Sequence, residues 1–554
     1  MKKFYFYHLS SLVLGLSLTS NASANHIALL VGINDYPSPN QLEGAVNDVQ
    51  AIKKTLIDKW QFSEKDIVTL INKDATFNNI INELNRLKTR SKANDQVFIY
   101  FSGHGTSSID KGLKLALPST SGAFIPVDFP LSGKHTLDSL QKTMIVGKWH
   151  LQPILKELEQ DRSLFIAMDS CYSGNAVRAL NQYPFHKRYM PVAFDDAFSD
   201  NLISTTNTKS TDNYPYKNVV FLSAASDAEQ ADDISGDNLS FAPTLDGKPH
   251  GAMTDALLRV LNGTVAEADK NHDKQLSYNE IHQAVRSLVQ KNHNHTPMLL
   301  PSLPEDGQNI TDHILFKQKD IILREPTSST PKLQLKIDSP TPAVLEKLLN
   351  RPELNFSNTP DFIVSQTTKG LDLKKATGET ILANSQLSDI KNRLASQIWL
   401  QQHLARLSST ESLNLQTNKH ERGNNFIAND TLAFMVKSSA NAYLVLINIA
   451  ANGEISVLYP SNTKGKEGQK IPAQQLVTIP SNDPQNWIRV VPPFGVDQVV
   501  AFALPQKPRH WDELPNMVSL LPNTPQLVAL DELLTSQKDI AWQQLELRSF
   551  PSAP

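Results

Sequence analysis

Gln96-Val97-Phe98-Ile99-Tyr100-Phe101-Ser102-Gly103-His104-Gly105 is the stretch whose reading decides the fold. A run this apolar, stopped abruptly by Ser-Gly, reads as a strand buried on both faces, which is the habit of parallel sheets. Runs of the same kind stand at His26 to Gly32 (HIALLVG), Ile67 to Ile71, Leu164 to Met168 (LFIAM) and Val219 to Ser223 (VVFLS). Amphipathic segments separate them. Gly44 to Trp60 carries Val46, Val49, Ile52 and Leu56 on one face, and further helices are predicted near Asn78 to Leu87, Trp149 to Leu158, Met253 to Leu261 and Tyr278 to Val289. The alternation predicts an α/β domain with a mainly parallel sheet flanked by helices. In such sheets functional groups gather at the carboxyl ends of strands, where His104 stands.

A second strand, in Met168-Asp169-Ser170-Cys171-Tyr172-Ser173-Gly174, runs straight into the only Cys among 554 residues. One Cys excludes an intramolecular disulfide and a structural zinc site of several thiolates. A net charge of −3 argues against a nucleic-acid partner held by counterion release. Residues 1–24 read as an export signal: Lys2 and Lys3, an apolar core from Leu9 to Leu18, then Ala22-Ser23-Ala24. That core is shorter than the roughly 18 apolar residues a membrane span needs, and no membrane-spanning segment is predicted elsewhere. The expected location is therefore periplasmic or secreted, where an unpaired thiol is a liability unless it has a task.

The expected organisation is residues 25–316 as the α/β domain, 317–340 as a polar, Pro-bearing linker, 341–419 as a helical or irregular connector, 420–510 as an all-β sandwich-like domain and 511–554 as an extension. Strands are predicted at Thr431 to Val436, Tyr443 to Ile449, Ile455 to Tyr459, Leu476 to Ile479, Ile488 to Val491 and Gln498 to Phe502. Asn452-Gly453 is a strong hairpin turn. This half contains no Cys, and a targeting or substrate-capture role is the expectation for it.

A Cys and a His at adjacent strand ends can act together as nucleophile and proton carrier, while neighbouring glycines let a substrate backbone approach. The pair SGHG and DSCYSG resembles the caspase-like cysteine peptidases of clan CD, in their metacaspase and bacterial orthocaspase branch. LLVGINDY (Leu29 to Tyr36), GAVND (Gly44 to Asp48), VVFLSAAS (Val219 to Ser226) and HGAMTDALL (His250 to Leu258) extend the resemblance across about residues 26 to 300. It implies a dyad of Cys171 and His104, an oxyanion hole from the Gly105 and Cys171 N–H groups, and no third member. It also implies cleavage after Arg or Lys through an acidic S1 pocket matched here by Asp48 and Asp169, with Ser102 lining it. Metacaspase relatives tend to be monomers, and the implied partners are protein or peptide substrates. The β half resembles an uncharacterised bacterial domain often fused to such peptidases.

Many metacaspases take calcium on acids shortly after the catalytic Cys, but here Gly174 to Arg178 holds none. Asp269 to Glu280 offers another place for Ca²⁺: Asp269, Asn271, Asp273, Gln275 and Glu280 fall at EF-hand spacing, with helices predicted on both sides and Lys274 where Gly is usual. His293 and His295 read as surface polar residues. His186-Lys187-Arg188 lies in a polar, Pro-containing stretch read as an exposed loop, making Lys187 and Arg188 expected self-processing points, with Lys209 another. The alternative to an exported cysteine endopeptidase, which needs no cofactor for its chemistry, is a catalytically silent scaffold whose β domain binds a partner.

Overall fold

The computed structural model describes residues 25–551 apart from 108–121, 134, 172–184, 191, 193–213, 227–228, 240–241, 266–267, 271–272, 294, 302–309, 318–331, 358–359, 377, 408, 410, 420–422, 462–469 and 522–523. The export segment, Gly174 to Arg178, Lys209, Asn271 and most of the expected linker lie outside the described residues.

The apolar runs form one sheet: β1 (His26–Gly32), β2 (Ile67–Ile71), β3 (Gln96–Ser102), β4 (Ser163–Asp169), β5 (Val219–Ser223) and β6 (Met298–Leu300), ordered β6-β5-β4-β3-β1-β2. β1 to β5 are parallel and β6 closes the edge antiparallel to β5. Alternation along each strand divides the core in two. Ala28, Leu30, Phe98, Tyr100, Phe165 and Ala167 face helices α1 (Ala45–Trp60), α4 (Ala252–Leu261) and α5 (Tyr278–Asn292). Leu29, Val31, Ile99, Phe101, Ile166 and Met168 face α2 (Phe77–Arg90) and α3 (Gln152–Leu158). Both faces being covered is why these strands read as continuous apolar runs.

Two organisational expectations are corrected in the C-terminal half. The end of the expected linker and the expected connector together hold a five-stranded mixed sheet built from Leu333–Asp338, Leu354–Phe356, Phe362–Thr367, Gly370–Lys375 and Thr380–Ser385. Its strands are short and carry Lys, Asp and Gln among their apolar residues, so only part of each is buried and the apolar signal is weak. The supposed extension supplies Ala541–Phe550, the longest strand of the β domain, which lies between Asn425–Ile427 and Val496–Leu504. That five-stranded sheet carries helices Leu387–Leu404 and Pro525–Thr535 on one face and the three-stranded sheet Leu413–Thr417, Phe434–Ser438, Val477–Ile479 on the other. The hairpin strands Tyr443–Ile449 and Ile455–Tyr459 fall where the Asn-Gly turn placed them. Among the described residues no helix is long and apolar enough to cross a membrane.

Buried charge joins the halves. Arg548, from the last strand, contacts Glu379 at 2.6 Å and Glu229 of the α/β domain at 3.4 Å. Glu229 also accepts from Ser226 Oγ (2.8 Å) and the Thr296 N–H (2.7 Å), fixing the loop that follows β5. Lys375 donates to the Gln290 carbonyl of α5. Removing one member of a buried ion cluster strands the others without a counter-charge, so Arg548→Met is expected to cost about 3–5 kcal/mol, read as a lowered midpoint in chemical denaturation.

Candidate active site

The parallel pairing of β3 with β4 sets Ser102 opposite Asp169, so the two strand ends release His104 and Cys171 on the same edge of the sheet. Gly103, between Ser102 and His104, permits a close approach: a Cβ there would sit 2.7 Å from the Tyr36 hydroxyl. That hydroxyl accepts from the His104 N–H at 3.1 Å and donates to the Ile125 carbonyl at 2.9 Å, fixing the backbone of the His turn. His104 Nε2 lies 2.7 Å from the Asn40 carbonyl. A carbonyl only accepts, so the proton sits on Nε2 and Nδ1 presents its lone pair. Among the described residues the buried Nδ1 has no hydrogen-bond partner. Burial lowers the His104 pKa to about 4, and burial raises the Cys171 thiol to about 12. At neutral pH both groups are uncharged. The Ala231 N–H donates to Cys171 Sγ at 2.8 Å, and Ala231 follows directly on the loop that Glu229 anchors.

The edge is occupied by the chain's own Arg188. Its carbonyl oxygen accepts from the Gly105 N–H at 3.0 Å and from the Cys171 N–H at 3.1 Å, and its own N–H donates to the Ala231 carbonyl at 3.0 Å. Its side chain is fully buried. Nη2 reaches Asp48 Oδ2 at 2.8 Å and Asp233 Oδ1 at 2.6 Å, while Nη1 reaches Ser102 Oγ at 2.6 Å and the Asp169 carbonyl at 3.0 Å, with Asp169 Oδ1 at 3.3 Å. The reading of this stretch as an exposed loop is therefore corrected: His186–Lys187 pairs as a strand with Asp232–Ile234, and Arg188 faces inward. Three glycines make room. A Cβ on Gly251 would fall 2.5 Å from the guanidinium carbon, on Gly44 2.8 Å from Nη2, and on Gly105 2.3 Å from the Cys171 carbonyl.

The structure brings Asp48, Ser102 and Asp169, the residues grouped through the family resemblance, together around Arg188. It adds Asp233, His250 and Asn40, which sequence reasoning missed. Asp233 stands in Ala231-Asp232-Asp233-Ile234, where two acids beside apolar residues were the available signal. Burial alone would lower the His250 pKa, but its hydrogen bond to Asp48 (2.8 Å) and the Asp48 charge outweigh that and raise it to about 9. Burial raises Asp169 to about 6 against the pull of Arg188. Burial would also raise Asp48, but Arg188 and His250 hold it below the usual carboxylate range. The pocket is a carboxylate cluster whose charge is met chiefly by one guanidinium.

A family model described as Caspase domain (Peptidase_C14) matches residues 25–309, slightly more than half of the chain. The chain belongs to this family. A second model, a domain of unknown function (DUF4384), matches residues 425–507 of the β domain. Metacaspase-1 of Scheffersomyces stipitis is 33% identical over 167 residues, 28% of this chain and 38% of that protein. Metacaspase-1 of Plasmodium falciparum is 32% identical over 164 residues, 28% of this chain and 25% of that protein, and Metacaspase-7 of Arabidopsis thaliana is 40% identical over 84 residues, 14% and 21% of the two chains. The chain thus spans between about a fifth and two fifths of the length of these relatives. Among solved structures, protein GSU0716 of Geobacter sulfurreducens matches with a TM-score of 0.34 and 21% identity, covering 50% of this chain and 92% of that one.

Two peripheral expectations for the caspase domain meet different outcomes. α4 ends at Leu261, before Asp269 to Glu280, and α5 leaves that stretch as an EF-hand requires. Lys274 takes the positive φ of 64° usually given to Gly, and its N–H donates to Asp269 Oδ2. Glu280 receives the Lys270 N–H on one oxygen and the Ser277 N–H and hydroxyl on the other, as the capping box of α5. The Asp273 carboxylate accepts from the Gln275 N–H. One oxygen of Asp269, one of Asp273 and both of Glu280 are thus engaged on the protein's own donors. His293 and His295 are not surface residues: both are buried, His293 Nδ1 lying 3.0 Å from Asp232 Oδ2 and His295 Nδ1 donating to the Ala224 carbonyl at 2.7 Å. Asp232 is distant in sequence, which is why the histidines read as isolated.

Because the His250 pKa rises on folding, its contribution is fully present below about pH 6.5 and is lost as pH climbs through about 9. The unfolding free energy is expected to fall over that interval by on the order of 3 kcal/mol in the native chain, and the fall should flatten in His250→Gln, measured by urea unfolding across the pH series.

Proposed function

We propose that the caspase domain is an exported cysteine endopeptidase that hydrolyses peptide bonds after Arg or Lys, and that the Arg188-Tyr189 bond of its own chain is its first substrate. One observation carries the reading: Arg188 has its guanidinium among Asp48, Asp169 and Asp233 while its carbonyl receives two N–H groups beside the thiol. Those donors face the oxygen on which negative charge would develop.

The chemistry follows from the protonation states. Cys171 Sγ gives its proton to His104 Nδ1 as sulfur attacks the Arg188 carbonyl carbon, and the carbonyl electrons move onto the oxygen held by Gly105 and Cys171. The imidazolium then protonates the Tyr189 nitrogen, the C–N bond breaks, and a thioester to Arg188 remains. Water, deprotonated by His104, hydrolyses it and restores the thiol. The Asn40 carbonyl keeps Nε2 protonated throughout, so the exchangeable proton is always the one at Nδ1.

Once Arg188 leaves, three buried carboxylates need a new cation. A substrate Arg restores the bidentate and charge-assisted bonds, Lys restores the charge, and an acidic side chain adds repulsion. Export rests on the sequence of residues 1–24.

Incubated wild-type protein is expected to yield a new amino terminus at Tyr189 by intact mass and terminal sequencing, while Cys171→Ala stays whole and Arg188→Asp loses that cut. On peptides, P1 Arg should exceed P1 Asp by about a thousandfold or more in kcat/KM. Absence of any Cys171-dependent cleavage of the chain or of P1 Arg and Lys peptides would overturn the reading in favour of a silent scaffold. Gly251→Ala, which sets a methyl against the guanidinium, is expected to lower P1 Arg turnover at least tenfold, in KM more than in kcat.

A further inference from the structure

The residue before Arg188 meets a site of its own. In the antiparallel pairing of His186–Lys187 with Asp232–Ile234, Lys187 stands opposite Asp232, and successive side chains along each strand point to opposite faces. The Arg188 side chain therefore turns inward to Asp233, and the Lys187 ammonium pairs with Asp232 Oδ1. Two adjacent acids read two adjacent bases.

Asp232 is fully buried, and the groups facing its carboxylate are few. Lys187 is on one oxygen; His293 Nδ1 lies 3.0 Å from the other; His295 stands behind, its Nδ1 committed to the Ala224 carbonyl. Burial drives the His295 pKa down to about 3, so it adds no positive charge near neutrality. The Lys187 side chain keeps 28% of its surface exposed, entering from the rim, so the site is open at the end where a longer or broader cation would extend. A buried carboxylate that loses its cation is costly, and a neutral or acidic side chain opposite Asp232 leaves it so.

We infer that Asp232 forms a second specificity subsite, selecting Lys or Arg at the position preceding the scissile residue, so that the preferred substrates are dibasic segments presented as an extended strand against Ala231 to Ile234. The inference rests on the proposed function, because it takes the Lys187-Arg188 segment as a picture of bound substrate. It goes beyond it in assigning a role to Asp232 that the S1 carboxylates do not share.

The test is a set of peptides with P1 fixed as Arg and P2 varied as Lys, Arg, Ala or Glu, assayed on the full wild-type chain. Ratios between peptides on one enzyme cancel any competition from its own segment. P2 Lys and Arg are expected to exceed P2 Ala by roughly tenfold to a hundredfold in kcat/KM, and P2 Glu to fall below Ala. Asp232→Asn should bring the Lys to Ala ratio within about threefold. If that variant does not fold, the same question is put to self-cleavage: Lys187→Glu should slow formation of the Tyr189 terminus at least tenfold, and Lys187→Arg should cut faster than Lys187→Ala. Turnover of P1 Arg with no P2 preference would overturn this inference alone. No P1 Arg turnover with any P2 residue would overturn the proposed function and this inference together. A P2 preference that survives in folded Asp232→Asn would overturn the assignment to Asp232.

Discussion

A single guanidinium buried among three carboxylates organises the carboxyl edge of the parallel sheet. Asp48 comes from α1, Asp169 from the end of β4 and Asp233 from the strand after β5, so no two of them are neighbours in sequence. Their repulsion is offset by Arg188 lying between them and by donors on further oxygens: His250 on Asp48, Thr254 on Asp169, and the Glu43 and Gly44 N–H groups on Asp233. Buried ions of like sign this close are costly without such an arrangement. Helix α1, two strand ends and the hairpin of Asp232–Ile234 are thus tied through one side chain that the rest of the chain must deliver across the sheet edge.

The same arrangement accounts for the uncharged state of Cys171 and His104. Burial under the Arg188 segment is what keeps the Cys171 thiol and the His104 imidazole uncharged. A neutral pair loses no stability to an isolated thiolate, while the Gly105 and Cys171 N–H groups both donate to the Arg188 carbonyl.

The parallel sheet was legible because strands covered on both faces must be apolar throughout; the strand spans at His26–Gly32, Ile67–Ile71 and Val219–Ser223 coincide with the apolar runs. His104 and Cys171 were legible from their places at strand ends. Asp48, Ser102 and Asp169 could be grouped only through the resemblance, since nothing in their spacing says that a helix start and two strand ends converge. The role of Asp233 and the burial of His293 and His295 were missed because their partners are far away along the chain. The middle sheet was missed for another reason: strands such as Gly370–Lys375 are half-polar, and their order comes from packing against the helix Leu387–Leu404 and the β domain rather than from their own pattern.

The strand Ala541–Phe550 gives the β domain a bearing on the geometry beside Cys171. Arg548 lies on it, and through Glu229 it reaches the loop that ends at Ala231, the residue whose N–H meets the thiol. Arg548 and Glu229 stand 319 positions apart along the chain, so one buried ion contact works as a lever between the last strand and the loop beside Cys171.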